Sequence, residues 1–516
     1  MEDHSTRRSD AVAIIKGAGV NLLGTVMRSL NFVFYIVLAR LYGAESTGLY
    51  LIAWNTVDIS SKLSIIGLDK SMLKFVAERK AVEDESGMYT KVANALQLGF
   101  FFALGIIVVL ELLTPVITSH LLSKPHLLPM LRLMIPGILF WTMTYILLFS
   151  TRGLRIMRYE IYARSLAEPI TLVLFSIPFY LLGFDETGLG IAFLFSTAAG
   201  AVTSLYLFSR AFDIKKLKAA FADTAGRRAL LLFSYPIGLT DMTNLLMQRI
   251  DIFLLSRYAS AGAVGVYGIS QEVVSLVKKI RMAFDPIFMP VVAGARELGN
   301  HGDVLSHFRS VTRWILMIYL PILGVYAIAG KDILALFGSS FGTDDAVVVL
   351  VLLSLAVGFN NVLGVSELFL VITRPMINMV NLLCAMALAF LLGLWLVPAW
   401  GAPGAAMTMA IAYLVLNIVR LVEVGVLFRM HPFTLAQLKS VLSFLVAAAL
   451  AWLLRLALHD VMPIGRGVPA AALFIGLYLG VLILLGLNSE ERMFLNRLVK
   501  RAQARIGGGF NGRAQQ

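Results

Sequence analysis

The chain has 516 residues, 59% of them hydrophobic and only 15% charged, with a mean hydropathy of +0.82. A soluble protein of this size needs more polar surface to cover its core, so composition excludes a soluble globular enzyme. The formal net charge is +13. In a soluble chain that would suggest nucleic acid, but here the bases follow a membrane topology, and no nucleic-acid partner is expected.

Stretches of about 20 apolar residues match a hydrocarbon slab roughly 30 Å thick. Backbone groups in lipid must be satisfied within the segment, so these stretches are helices. The predicted spans are 13–39, 47–66, 92–114, 128–150, 164–182, 188–208, 229–256, 264–286, 311–330, 346–372, 376–397, 403–427, 439–457 and 468–487. The fold class is therefore an all-α polytopic membrane protein with about fourteen transmembrane helices. The first segment is too long for a signal peptide, and no small-residue cleavage site follows it. The one cysteine, Cys384, lies within a span, so no intrachain disulfide is expected.

Lys and Arg collect between alternate pairs of spans. With the N-terminus inside, inner loops hold Arg7, Arg8, Lys70, Lys74, Arg79 and Lys80, then Arg152, Arg155 and Arg158. Arg210, Lys215, Lys216, Lys218, Arg227 and Arg228 follow, and later Arg296, Arg309, Arg374, Arg429 and Lys439. Outer loops hold only Arg40, Lys124, Arg257, Lys331, Arg455 and Arg466. This is the positive-inside rule sustained along the chain. It predicts a multi-pass protein of the inner, cytoplasmic membrane with both termini cytoplasmic and an even number of spans. The longest run between spans, 209–228, is short and basic. The stretch 489–505 reads as an amphipathic helix for an anionic lipid surface, and the polar end after Gly507 as disordered.

The chain repeats itself. At a shift of 217 positions Arg40 meets Arg257, Ala44 meets Ala261, Gly48 meets Gly265, Tyr50 meets Tyr267 and Lys62 meets Lys279. Six spans separate the copies, so both halves run the same way through the membrane. The expected organisation is an N-lobe over 1–208, a basic cytoplasmic linker over 209–228 and a C-lobe over 229–428. Two further spans over 429–487 and a cytoplasmic tail over 488–516 complete it.

Two stretches carry a family resemblance. Leu38-Ala-Arg-Leu-Tyr-Gly-Ala-Glu-Ser-Thr-Gly-Leu-Tyr50, followed by Ile66-Gly-Leu-Asp-Lys-Ser-Met-Leu-Lys-Phe-Val-Ala77, resembles the start of polysaccharide exporters. Gln248-Arg-Ile-Asp-Ile-Phe-Leu-Leu255 with Ala263-Val-Gly-Val-Tyr-Gly-Ile269 is similar to their second half. These exporters belong to the multidrug/oligosaccharidyl-lipid/polysaccharide (MOP) exporter superfamily. The resemblance covers roughly residues 12–430. It implies a V-shaped fourteen-helix fold of two lobes, alternating access, and flipping of a polyprenyl-diphosphate-linked oligosaccharide to the outer leaflet. It also implies membrane lipid and a polysaccharide polymerase as partners, proton or sodium coupling, and no cofactor.

Ionisable groups within spans cost roughly 2.5–3.5 kcal/mol each at a helix centre, so they turn to a cavity or to one another. In the first span Asn21, Thr25, Arg28, Asn31 and Tyr35 recur at three and four residues and form one polar stripe. Asp241, Asn244, Gln248 and Asp251 do the same in the seventh, with Arg249 beside them. The repeat makes these spans partners facing an interlobe cavity. Arg28 lies about 18 Å and Arg249 about 12 Å below the outer mouth by helical rise. Each either faces substrate or pairs with an acid, Asp58 for Arg28 and Asp251 or Glu272 for Arg249. Lys62 and Lys279, near inner ends, either snorkel to headgroups or capture phosphate. Asp58, Asp241, Asp251, Glu272 and Glu367 are the candidates for a coupling ion, against plain charge neutralisation. Asn360, Asn361, Asn417 and Arg420 place further polarity on the tenth and twelfth spans, where interhelical hydrogen bonding is the bland reading.

Other chemistry is absent from the sequence. Gly324 to Lys331 has the wrong length for a phosphate loop, the seven His show no metal spacing, and no Gly-x-Ser-x-Gly turn occurs. No enzyme and no metal site are expected. The alternative reading is a cation-coupled multidrug antiporter of the same superfamily. That reading calls for acids, whereas the first-span stripe holds Asn and Arg.

Overall fold

The computed structural model describes residues 30–298, 301–457 and 467–486. Helices make up nearly all of this, and no strand occurs among the described residues. Six helices among them are long and apolar enough to cross a membrane. Two compact units emerge. The first holds Met1–Val273, Leu334–Leu353 and Met376–Leu416; the second holds Val274–Ile333, Ser354–Pro375 and Asn417–Gln516.

The first unit opens with α1 (Leu30–Ile65). Two spans were expected here with a loop between them, and the separation is a single sharp break. Gly43 sits at φ 77°, ψ −177°, a conformation open to glycine and costly for any residue with a Cβ. A short helix follows, α2 (Leu68–Ala81). Next is α3 (Glu85–Val116), whose start is capped by the Asp84 carboxylate accepting from the Gly87 N–H at 2.8 Å. Pro115 removes a backbone donor near its far end, and the helix loosens into a π-turn over Ile117–Leu121. The Thr118 hydroxyl donates to the Thr114 carbonyl at 2.9 Å, which keeps that turn satisfied without water.

α4 (Leu127–Met134) and α5 (Gly137–Gly153) form one span interrupted at Pro136. A π-helical turn over Ile161–Ala167 leads into α6 (Glu168–Leu181), and α7 (Glu186–Ser209) follows.

The basic stretch 209–228 is not a free loop. It contains α8 (Ile214–Ala220), docked on the N-terminal half of α3. Asn94 donates to the Ala225 carbonyl at 3.1 Å and Gln97 to the Phe221 carbonyl at 2.9 Å. Arg227 donates from Nε to the Asn94 Oδ1 at 2.8 Å and from its other nitrogen to Gln97. Polar residues in an apolar span thus satisfy the carbonyls of the turn that follows α8.

α9 (Arg227–Tyr258) and the first part of α10 (Ala261–Leu298) complete the repeat-related helices in this unit. In the second unit, α10 from Val274 continues beside α11 (His301–Ala335) up to Ile333. α12 (Asp344–Val362) and α13 (Ser366–Thr373) are one span broken at 363–365. α14 (Pro375–Phe428) was expected as two spans; it is split by a break at Gly401. α15 (Leu435–Ala457) and α16 (Gly467–Leu484) end the described chain. Phe288, Phe308 and Phe369 pack at centroid distances of 5.0–6.2 Å, one pair stacked and two edge to face, within the second unit.

Candidate functional site

Trp54, Asp58 and Lys62 lie four residues apart on α1 and therefore share one helix face. Asp58 receives Arg249 of α9 at 3.6 Å. The Arg249 guanidinium also lies 4.9 Å from the centre of the Trp54 ring. Lys62 lies one turn further along α1, and Arg164 comes from the π-turn before α6. Both of them sit against one ring, with the Lys62 ammonium 4.1 Å and the Arg164 guanidinium 4.2 Å from the centre of Tyr145 on α5. An aromatic face attracts a cation through its quadrupole. The cluster thus joins three cations, one central carboxylate and two aromatic rings drawn from four elements.

Two more acids stand behind it. Asp69 lies 3.6 Å from Lys62, and Glu168 acts on Arg164. The acids are the more deeply buried partners. Asp69 and Asp58 are 3% and 15% exposed, whereas Lys62 and Arg249 are 24% and 23% exposed. A ligand arriving from the accessible side meets positive charge first.

Two helix crossings bracket this cluster. Outside it, α1 and α10 touch backbone to backbone. A Cβ on Gly48 would strike the Ala261 carbonyl, and one on Gly265 would strike the Ala44 carbonyl. These four residues are repeat partners, so the contact is reciprocal, as at a two-fold interface, with small residues four apart on each helix. Inside it, the turn at Gly67 meets α9 at Gly238, where a Cβ on either would collide with backbone of the other helix. The Ser71 and Ser234 hydroxyls are 2.7 Å apart there, and Lys70 is hydrogen-bonded to Asp241. Asp58 lies about 15 Å from the outer crossing and about 14 Å from the inner one by helical rise.

Arg249, Asp58 and Lys62 are thus brought together, although Arg249 chooses Asp58 over Asp251 or Glu272. Asp251 is 1% exposed and accepts from the Tyr267 hydroxyl and the Gln271 amide, each at 2.6 Å. Glu272 is half-buried on α10. On α9, Asn244 is half-buried and Gln248 exposed. Each donates its amide to a carbonyl one turn back. Lys279 is half-buried in the second unit. Arg28 and Asn21 lie outside the described residues, as does the side chain of Asn31.

The second unit holds its own charge network. The two Glu367 oxygens accept separately from Arg281 at 2.8 Å and Arg420 at 3.0 Å. Arg281 also donates to the Asn360 carbonyl at 3.1 Å, a group freed by the break between α12 and α13, and Asp285 lies 3.5 Å away. Asn417 donates to the Asn360 side chain at 3.2 Å, and Asn361 to the Val277 carbonyl at 2.8 Å. Sequence reasoning missed Arg281, Asp285, Arg164, Tyr145 and Trp54. The available signal was spacing: Arg281 and Asp285 are four apart, as are Trp54, Asp58 and Lys62.

The architecture is similar to that of two solved transporters. A structure described as lipid II flippase MurJ in an inward closed conformation superposes with a TM-score of 0.73 at 13% identity, covering 90% of this chain and 97% of that one. An inward-facing multidrug resistance MATE family transporter of the MOP superfamily gives 0.60 at 15% identity, covering 76% and 92%. No curated protein matches the sequence. The class the fold defines is therefore an all-helical membrane-type architecture shared with these transporters. Within that class, the sequence model described as polysaccharide biosynthesis protein matches residues 14–292, more than half of the chain, and the chain belongs to that family.

Proposed function

We propose that this transporter flips a polyprenyl-diphosphate-linked oligosaccharide from the inner to the outer leaflet by alternating access. The observation that carries the reading is the cluster of Arg249, Lys62 and Arg164 beside Asp58, in which Arg249 and Lys62 are more accessible than their acidic partners Asp58 and Asp69. A diphosphate is a strong acceptor, and Arg and Lys ends beside aromatic faces suit it. Membrane-lying prenyl and water-borne sugar need little more than a passage. Arg28 is assigned to the same passage from the sequence.

The two crossings support a mechanism in which the outer pair (Gly48 and Gly265) and the inner pair (Gly67 and Gly238) part in turn. Tight binding alone does not drive such an exchange; only a difference in affinity between the two arrangements shifts their populations. An inside-negative potential favours outward movement of the anion. One charge through 100 mV yields about 2.3 kcal/mol, so two net charges yield about 4–5 kcal/mol. We assign the protein to the inner membrane with both termini cytoplasmic and no catalytic step. Proton or sodium coupling and a polysaccharide polymerase partner remain part of this reading. A cation-coupled drug antiporter calls for the opposite polarity on the accessible side.

The test is a deletion strain carrying plasmid copies. Loss of the gene should leave lipid-linked repeat units on the inner leaflet, and Arg28→Ala or Arg249→Ala should fail to clear them. A deletion strain that exports surface polysaccharide at the normal rate, with no inner-leaflet build-up, overturns the assignment.

A further inference from the structure

A groove of about 650 Å³ runs between the inner halves of α3, α5 and α7 and is closed at its end by α8. That is within the usual range for small-ligand pockets, about 300–1,000 Å³. Its walls are apolar: Phe100, Phe101, Met143, Val202 and Leu217 contribute to them. Phe101 and Val202 are each 67% exposed, so the groove opens sideways from helices that span the membrane. Along α5 it extends from Leu147 to Leu139, about 12 Å by helical rise.

One charge lines it. Lys218, exposed on α8, stands where the apolar walls meet the basic stretch. Its neighbour Lys216 is engaged elsewhere, paired with Glu85, while Gln97 turns its amide to the Phe221 carbonyl and to Arg227. The site therefore offers an elongated apolar channel ending in an ammonium group, at the depth where α8 crosses the inner ends of the spans. Juxtamembrane bases are drawn to the anionic surface of the cytoplasmic leaflet.

We propose that this groove is a binding site for an anionic phospholipid of the cytoplasmic leaflet, with one acyl chain between α3, α5 and α7 and its phosphate on Lys218. The lipid fastens α8 to the bundle from outside, opposite the hydrogen bonds that Asn94 and Gln97 supply from within. The assignment goes beyond the flippase reading and shares with it only the sidedness of the 209–228 segment.

Native mass spectrometry of the full chain in detergent, titrated with phosphatidylglycerol or phosphatidylcholine, tests it without any transport step. The wild type should retain one phosphatidylglycerol in preference to phosphatidylcholine. Lys218→Glu should reduce that bound fraction at least fivefold, and Val202→Trp, which fills the groove, should do the same. Lys218→Arg should keep it. Leu112→Trp, an equally lipid-exposed position on α3 away from the groove, should leave it unchanged and shows that an added indole is tolerated. Equal retention of the two lipids, or unchanged retention in both Lys218→Glu and Val202→Trp, overturns the proposal. Displacement of phosphatidylglycerol by a tenfold lower concentration of polyprenyl phosphate also overturns it, by assigning the groove to the transported lipid. None of these results depends on whether the protein flips oligosaccharide.

Discussion

Asp58 pairs with Arg249 at 3.6 Å, while Lys62 and Arg164 meet on the Tyr145 ring nearby. If Arg249 served only to neutralise Asp58, removing both charges would restore activity. If it holds the substrate anion, the double variant stays inactive. We expect Arg249→Ala to lower polysaccharide export at least tenfold at matched protein level and Arg249→Lys to retain part of it. Arg249→Ala with Asp58→Asn should recover expression without recovering export. Glu367 is the contrasting case. It holds Arg281 and Arg420 together, and Arg420 is 2% exposed. Breaking a fully buried pair costs about 3–5 kcal/mol, less here because the Glu367 side chain is 24% exposed. Glu367→Gln should therefore lower the melting temperature in detergent along with transport. Loss of transport at an unchanged melting temperature would instead mark it as a coupling site. Both carboxylates were legible in the sequence as costly charges within spans, but their partners were not. Arg164 opens the predicted span 164–182 just after Arg152, Arg155 and Arg158, and Arg281 stands near the end of the predicted span 264–286 just after two lysines, so neither stood out as a buried cation. Pairing is decided by helix rotation, which a hydropathy pattern does not specify.

At the scale of elements, the spans were legible because twenty apolar residues in lipid have no alternative to a helix. Their ends were not. The turn at Gly43 and the break at Gly401 fall in the predicted gaps 40–46 and 398–402, but the helices run through most of both gaps and break at a single glycine. The segment 209–228 was read as a plain basic linker because lysines dominate it; the clue to its docking was in another element, the Asn94 and Gln97 within the third span. Arg227 completes that arrangement. Asn94 is fully buried, so Arg227→Ala leaves its carbonyl oxygen without the partner it has here, a cost of about 1–3 kcal/mol. We expect a melting temperature several degrees lower and faster tryptic cleavage at Lys215, Lys216 and Lys218. Arg227→Lys should not rescue either, since one ammonium cannot replace the two-pronged contact with Asn94 and Gln97. An unchanged cleavage rate would mean that α8 is held by its apolar face alone.

At the scale of the molecule, the 217-residue repeat was the deepest information in the sequence, and it returns as a physical contact. Ala44 and Gly48 meet Ala261 and Gly265, their own repeat partners, across the outer crossing. Alternating access requires that crossing to open once per cycle, which makes it the place to stop the cycle. A Cβ at Gly262 would lie 4.0 Å from the Ala44 Cβ, inside the range of about 3.5–4.5 Å that a disulfide spans. In a Cys384→Ser background, Ala44→Cys with Gly262→Cys should crosslink under oxidation, and export should fall to the level of the deletion strain. Each single cysteine should leave export intact, and reductant should restore it in the double variant. A bond across the crossing removes the outward-open state outright, whereas a ligand would need about 5.5 kcal/mol of differential affinity to shift the same equilibrium from 1:99 to 99:1. Full export from a protein shown to be crosslinked would mean that these helices stay joined while substrate crosses, and the repeat contact would then be scaffold and not gate.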